Sequence, residues 1–245
     1  RDRNYNILEF QQISDSFNEM TVRIETLIKE VYETQLLVKE ARLQYLQAQI
    51  NPHFMFNVLT MIAIKVKKHR DEELYQTVTS FAGLMRGKLF RRNEVEIKLK
   101  EEMEIAGFYL YLQSERFKDI ITYNIEWESD EIKECYVPRL CIEPIVENAV
   151  IHGLEPKGTE GRIRVAIREA SEDSINIVVE DDGVGFNVNE MDDRKDNKNP
   201  RVGVMNIQRL IRNLYGDKYG VLFQSEIGKG TIVTVCLPMR KDRTV

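Results

Sequence analysis

Apolar residues in the first third of the chain recur at alternating spacings of three and four. From Phe10 the series runs through Ile13, Phe17, Met20, Ile24, Leu27, Val31, Thr34, Val38, Ala41, Tyr45 and Ala48, with Thr34 as its one polar member. So narrow and regular a seam predicts a coiled coil rather than a globular amphipathic helix. At 1.5 Å per residue it extends about 57 Å. A helix of that length cannot bury its stripe alone, so a second copy of the chain is the expected partner. The register continues through Met55, Leu59, Ile62 and Val66, then breaks at Lys67-Lys68-His69-Arg70-Asp71. A second apolar face follows, with Leu74, Val78, Phe81, Met85 and Leu89. Helix, short polar turn, helix predicts an antiparallel hairpin, and two hairpins from two chains make a four-helix bundle.

From about residue 95 the period changes. Lys100 to Phe117 reads as a helix rich in Glu and aromatics. Alternation over Ile120–Trp127, Arg162–Arg168, Ser174–Glu180, Gly220–Gln224 and Thr231–Leu237 predicts strands, and helices are expected over Arg139–His152 and Gly203–Tyr215. The expected fold class is therefore α + α/β. An N-terminal coiled coil and helical hairpin lead, with a boundary near residues 93–97, into a mixed α/β sandwich.

Composition narrows the partners. Charged residues make up 31 % of the chain, which suits long solvated helices, and the net charge of −5 gives no reason to expect nucleic acid. Cys135, Cys141 and Cys236 form no CxxC pair, so they read as small core hydrophobes in a reduced setting. No run of about 20 apolar residues and no signal peptide is present, so this stretch is expected to be soluble. Its helical pattern is already under way at Arg1, and a longer protein is expected.

Four segments of the second half carry chemistry together. They are Pro144-Ile145-Val146-Glu147-Asn148-Ala149 on a helix, Asp181-Asp182-Gly183-Val184-Gly185-Phe186 after a strand, Val202-Gly203-Val204-Met205-Asn206 opening a helix, and Gly228-Lys229-Gly230-Thr231 before the last strand. A buried Asp181 suits the exocyclic amine of adenine. Gly183 and Gly185 let backbone approach the base. Gly203 at a helix start offers N–H groups to phosphate. Asn148 offers an amide oxygen to Mg²⁺. Taken singly these signals are weak; their order and contexts together point to a nucleotide site.

The order of these four segments resembles the ATP-binding fold shared by histidine kinases, gyrase, Hsp90 and MutL. The segment Leu46-Gln47-Ala48-Gln49-Ile50-Asn51-Pro52-His53-Phe54-Met55-Phe56-Asn57 resembles the phosphoacceptor segment of LytS/YesM-type sensor histidine kinases. Similar too are Pro138-Arg139-Leu140 ahead of Glu143-Pro144, and Leu214-Tyr215-Gly216. Ser16-Phe17-Asn18-Glu19-Met20 looks, more weakly, like the end of a HAMP signalling linker.

The resemblance implies residues 1–22 as linker, 23–94 as coiled coil and phosphotransfer hairpin, and 95–245 as the catalytic domain. It implies ATP and Mg²⁺ as ligands, with Asn148 as metal ligand and Asp181, Gly183, Gly185, Gly203 and Thr231 at the nucleotide. His53 becomes the phosphoacceptor, with Asn57 a candidate in any phosphatase reaction. The heptad puts His53 at position b, off the seam. Pro52 removes the amide that would bond Ala48, so a bend is expected there. His69 and His152 read as ordinary histidines, and Asn187–Arg201 as an ATP lid.

The implied partners are a second copy of the chain and the receiver domain of a response regulator. The implied location is the cytoplasmic part of a cell-membrane protein, tethered through a sensor outside this sequence. Phe54, Ile151, Asp182 and Arg201 depart from common family residues, and Phe54 leaves the general base unassigned. Two other readings stay open: an ATPase of the same fold, and a dimeric signalling scaffold without catalysis.

Overall fold

The computed structural model describes residues 52–68, 70–89, 94–118, 120–171, 173–187 and 200–243, and Met20, Arg23, Ile24, Leu27, Lys29, Val31, Tyr32 and Gln35. Side chains are described from residue 55 in the first of these stretches and from 203 in the last. The chain divides into two compact units, Arg1–Asn51 and Pro52–Val245.

The eight described residues of the first unit are helical. Four of them, Met20, Ile24, Leu27 and Val31, are consecutive seam positions, and each is more than half exposed. The rest of the seam and the expected bend before Pro52 lie outside the described residues.

The second unit opens with a helical hairpin, α1 (Pro52–Lys68) and α2 (Glu72–Leu89). Arg70, in the left-handed region at φ 57°, makes the turn between them, and Asp71 caps α2 by accepting from the Leu74 N–H at 3.0 Å. Within the hairpin Ala63 and Ala82 are buried, while Met55, Ile62, Leu74 and Phe81 of the expected apolar faces remain exposed.

A short strand β1 (Glu96–Lys98) follows, then α3 (Leu99–Arg116), β2 (Ile121–Trp127), β3 (Tyr136–Pro138), α4 (Glu143–Asn148), β4 (Gly161–Ser171), β5 (Ser174–Asp181), α5 (Pro200–Tyr215), β6 (Gly220–Glu226) and β7 (Gly230–Pro238). β1 pairs with β3. The main sheet has the order β2-β4-β5-β7-β6, with β2 parallel to β4 and the other pairs antiparallel.

Period-two alternation explains the layering. Ile163, Val165 and Ile167 of β4 are fully buried, while Arg162, Arg164 and Arg168 point the other way. The buried sheet face packs Ile175, Ile177, Val235 and Leu237 with Leu99, Ala106 and Leu110 of α3, Ile145 and Val146 of α4, and Ile207 and Ile211 of α5. The result is a two-layer sandwich with helices on one face. On the open face Arg164 pairs with Glu126 at 2.6 Å.

Two helix starts differ from the sequence expectation. The helix expected from Arg139 begins at Glu143. The carboxylate of Glu102, fully buried in α3, accepts from the N–H groups of Leu140 and Ile142, both at 2.9 Å, and Leu140 turns to φ 56°. The helix expected from Gly203 begins at Pro200, since proline suits a first helical position where its missing N–H has no partner to lose.

Candidate functional site

α4 does not stop cleanly. It runs into a π-helical turn, Ala149–Leu154, a distortion that recurs at functional sites. This turn brings His152 and Gly153 to the end of β5. Together with Ile145 and Asn148 of α4, Asp181 of β5, Gly185 and Phe186 after it, Val204 of α5, Phe223 of β6 and Thr231 of β7, they line a cavity of about 60 Å³. All four motif segments therefore meet at one place. A larger cavity, about 760 Å³, lies between the hairpin and α3 and holds no residue of these four segments.

Asp181 is the buried polar group of the site, at 6 % exposure. It ends β5 opposite Thr231 of β7, and its Oδ1 accepts from the Gly183 N–H at 2.9 Å. Burial pushes its carboxyl up to about 6, against the opposing pull of the Gly183 and Thr231 backbone donors. Around it the walls are apolar: Ile145, Val179, Phe223 and Val233. An apolar cavity with one buried acceptor suits a heteroaromatic ring bearing an amine.

Glycine makes the approach possible. A Cβ on Gly153 would lie 2.6 Å from Asp181 Oδ1, and Gly185 sits in the left-handed region at φ 58°. Gly183 packs on the Gly153 backbone. Ser225 of β6 ties the far wall together. Its Oγ accepts from the Phe186 N–H at 2.9 Å, lies 2.9 Å from Thr231 Oγ1, and donates to the Gly230 carbonyl at 3.1 Å. Gly203 lies in the first turn of α5 rather than at its start, and a Cβ there would stand 3.5 Å from Asn148 Nδ2.

Asn148, Asp181, Gly185 and Thr231 thus line one cavity, with Gly183 and Gly203 against its walls. Asn57 is exposed on α1, among none of the lining residues. His53 lies in the first turn of α1, and its side chain is outside the described residues, as are residues 188–199 of the expected lid and the side chain of Arg201. Sequence reasoning read His152 as an ordinary histidine and did not single out Gly153 or Ser225, which no spacing signal marks. Of the departures, Asp182 faces outward, accepting from the Arg162 N–H at 2.8 Å and pairing with Lys157 at 3.1 Å, and Ile151 is exposed.

Two family models match the chain. The first, histidine kinase, covers residues 41–121, and the second, histidine kinase-, DNA gyrase B- and HSP90-like ATPase, covers residues 138–241. The curated relatives agree. Sensor histidine kinase YesM of Bacillus subtilis is 32 % identical over 236 residues, 96 % of this chain and 40 % of the relative. The chain belongs to the sensor histidine kinase family.

Two more family members are similar: sensor histidine kinase YpdA of Escherichia coli, 29 % identical over 84 % of this chain and 37 % of its own length, and sensor protein LytS of Oceanobacillus iheyensis, 28 % identical over 88 % and 37 %. The chain spans about two fifths of the length of these relatives. The second match makes the sandwich a histidine-kinase-type ATPase fold, which implies ATP binding. Among the described residues no helix is long and apolar enough to cross a membrane.

Proposed function

We propose that this chain is the kinase core of a sensor histidine kinase: a dimer that binds ATP with Mg²⁺, phosphorylates its own His53 and passes the phosphoryl group to an aspartate of a response regulator. One observation carries the reading. The four motif segments converge on a cavity whose single buried carboxylate, Asp181, faces apolar walls, in a chain that also holds a histidine within a match to the histidine kinase model.

Asp181 accepts from the adenine amine while Val179, Phe186 and Phe223 hold the ring. Gly183, Gly185 and Thr231 shape the backbone around the base. The first turn of α5, with Gly203, presents N–H groups to the phosphates. Asn148, which lines the cavity, and phosphate oxygens are the expected Mg²⁺ ligands, since the ion prefers hard oxygen donors. When bound, the ion neutralises charge on the transferring group. A neutral His53 imidazole nitrogen forms the new N–P bond as the bond from γ-phosphorus to the bridging oxygen breaks, and ADP leaves. Asn57, one turn after His53, is the residue to examine for any phosphatase reaction, in which water would take the phosphoryl group and release inorganic phosphate.

Dimerisation follows from the exposed seam, and the sensor and membrane tether belong to the parts of the relatives that this chain does not span. Incubation with γ-labelled ATP and Mg²⁺ tests the reading. Acid-labile, base-stable label that disappears in His53→Ala is the expected result. Label of full strength in His53→Ala would place the acceptor elsewhere. ADP release without labelled protein would make the chain an ATPase.

A further inference from the structure

A lysine of the hairpin contacts the helix that carries Asn148. Lys88, in the last turn of α2, places Nζ 2.7 Å from Glu143 Oε1 and 3.8 Å from Glu147 Oε2. Glu143 opens α4, and Glu147 immediately precedes Asn148. The Glu143 side chain is 3 % exposed, that of Lys88 35 %. Among the described residues the other groups facing Glu143 offer no positive charge: Glu147 on the same helix, and the buried Glu102 and Tyr109 of α3. Neither the Tyr109 hydroxyl nor Glu143 Oε1 has an aligned hydrogen-bond partner among the described residues, so Lys88 meets the buried Glu143 carboxylate as a charge contact.

Lys88 is itself held in place. The Arg139 guanidinium donates to the carbonyls of Gly87, at 2.6 Å, and Lys88, at 2.9 Å, closing the C-terminus of α2. α2 also lies close on α3: a Cβ on Gly87 would stand 2.5 Å from Ile105, and one on Gly83 would strike the Phe108 ring. The hairpin cannot shift along α3 without moving the cation.

A buried carboxylate that loses its cation must take up a proton or turn out to water. Turning out unwinds the first turn of α4, which has six residues before the π turn and ends on Asn148. We infer that Lys88 is a positioning residue of the nucleotide site: its ion pair with Glu143 sets α4 and so holds Asn148 where the nucleotide and its metal need it. The inference rests on the nucleotide reading above. Because coupling is reciprocal, nucleotide at Asn148 tightens the seating of the hairpin.

The test uses the whole chain, a non-hydrolysable ATP analogue with Mg²⁺ in a calorimetric titration, and hydrogen exchange over residues 143–154. Lys88→Ala is expected to weaken affinity about fivefold or more, and to speed exchange in α4 by about tenfold. Lys88→Ala with Glu143→Gln is expected to recover both, because the neutral amide needs no cation; a merely misfolded single variant would not be rescued this way. Unchanged affinity and exchange in Lys88→Ala, or no recovery in the double variant, would overturn the inference. A wild-type chain that takes up no analogue would instead defeat the nucleotide reading, and exchange in α4 would still decide whether Lys88 holds the helix.

Discussion

At the scale of single residues, Asp181 combines a binding role with a cost. Its ordinary value is 3.8 and burial lifts it to about 6 in the folded chain. Between these values the folded state holds more protons than the unfolded one, so stability falls as pH rises from about 4 to 6 and is level above. A shift of roughly two units corresponds to about 3 kcal/mol. Asp181→Asn is expected to remove most of that slope. Chemical denaturation at pH 4.5 and 7.5 would show the variant gaining on the wild type by about 2 kcal/mol at the higher pH; a constant difference would contradict it. The same variant is expected to bind ATP about tenfold more weakly, because the base amine loses a charged acceptor. Asp181 was legible in the sequence because a strand pattern ends on it just before two glycines. Gly153, equally necessary, was not, since its requirement comes from a carboxylate on another element.

At the scale of elements, α4 and its π turn carry the site. Gly153→Ala would press a methyl group against the Asp181 carboxylate, at 2.6 Å from Oδ1 and 3.3 Å from Oδ2. Thermal unfolding is expected to show a loss of about 1–3 kcal/mol, and titration no measurable nucleotide binding. Gly107→Ala is the contrasting case. It lies inside α3, where the nearest contact of a new Cβ is Ile125 at 3.8 Å, so the better helix former should stabilise by about 1 kcal/mol. The alternation of Ile163, Val165 and Ile167 with arginines made β4 readable, and β5 and β7 likewise. The start of α4 was not readable, because its position is set by Glu102, distant in sequence but hydrogen-bonded to the turn. The parallel pairing of β2 with β4 is also a long-range choice that no local period announces.

At the scale of the whole molecule, the proposed dimer rests on the seam. Met20, Ile24, Leu27 and Val31 leave an apolar line in water in the single chain, and Met55, Ile62, Leu74 and Phe81 do the same on the hairpin. Burying them against a second copy is the natural resolution. Sedimentation is expected to show a dimer, and Ile24→Glu with Leu27→Glu to shift it towards monomer while the sandwich keeps its unfolding temperature. A wild-type chain that sediments as a monomer at all concentrations would contradict this reading.

The proposed reaction leaves the phosphoryl group on the imidazole of His53. ³¹P NMR of the chain after incubation with Mg²⁺ and ATP, held at alkaline pH, reads the bond type directly. A phosphoramidate resonance that is lost in His53→Ala is the predicted result. A phosphoester resonance, or a phosphoramidate that survives the substitution, would contradict the account.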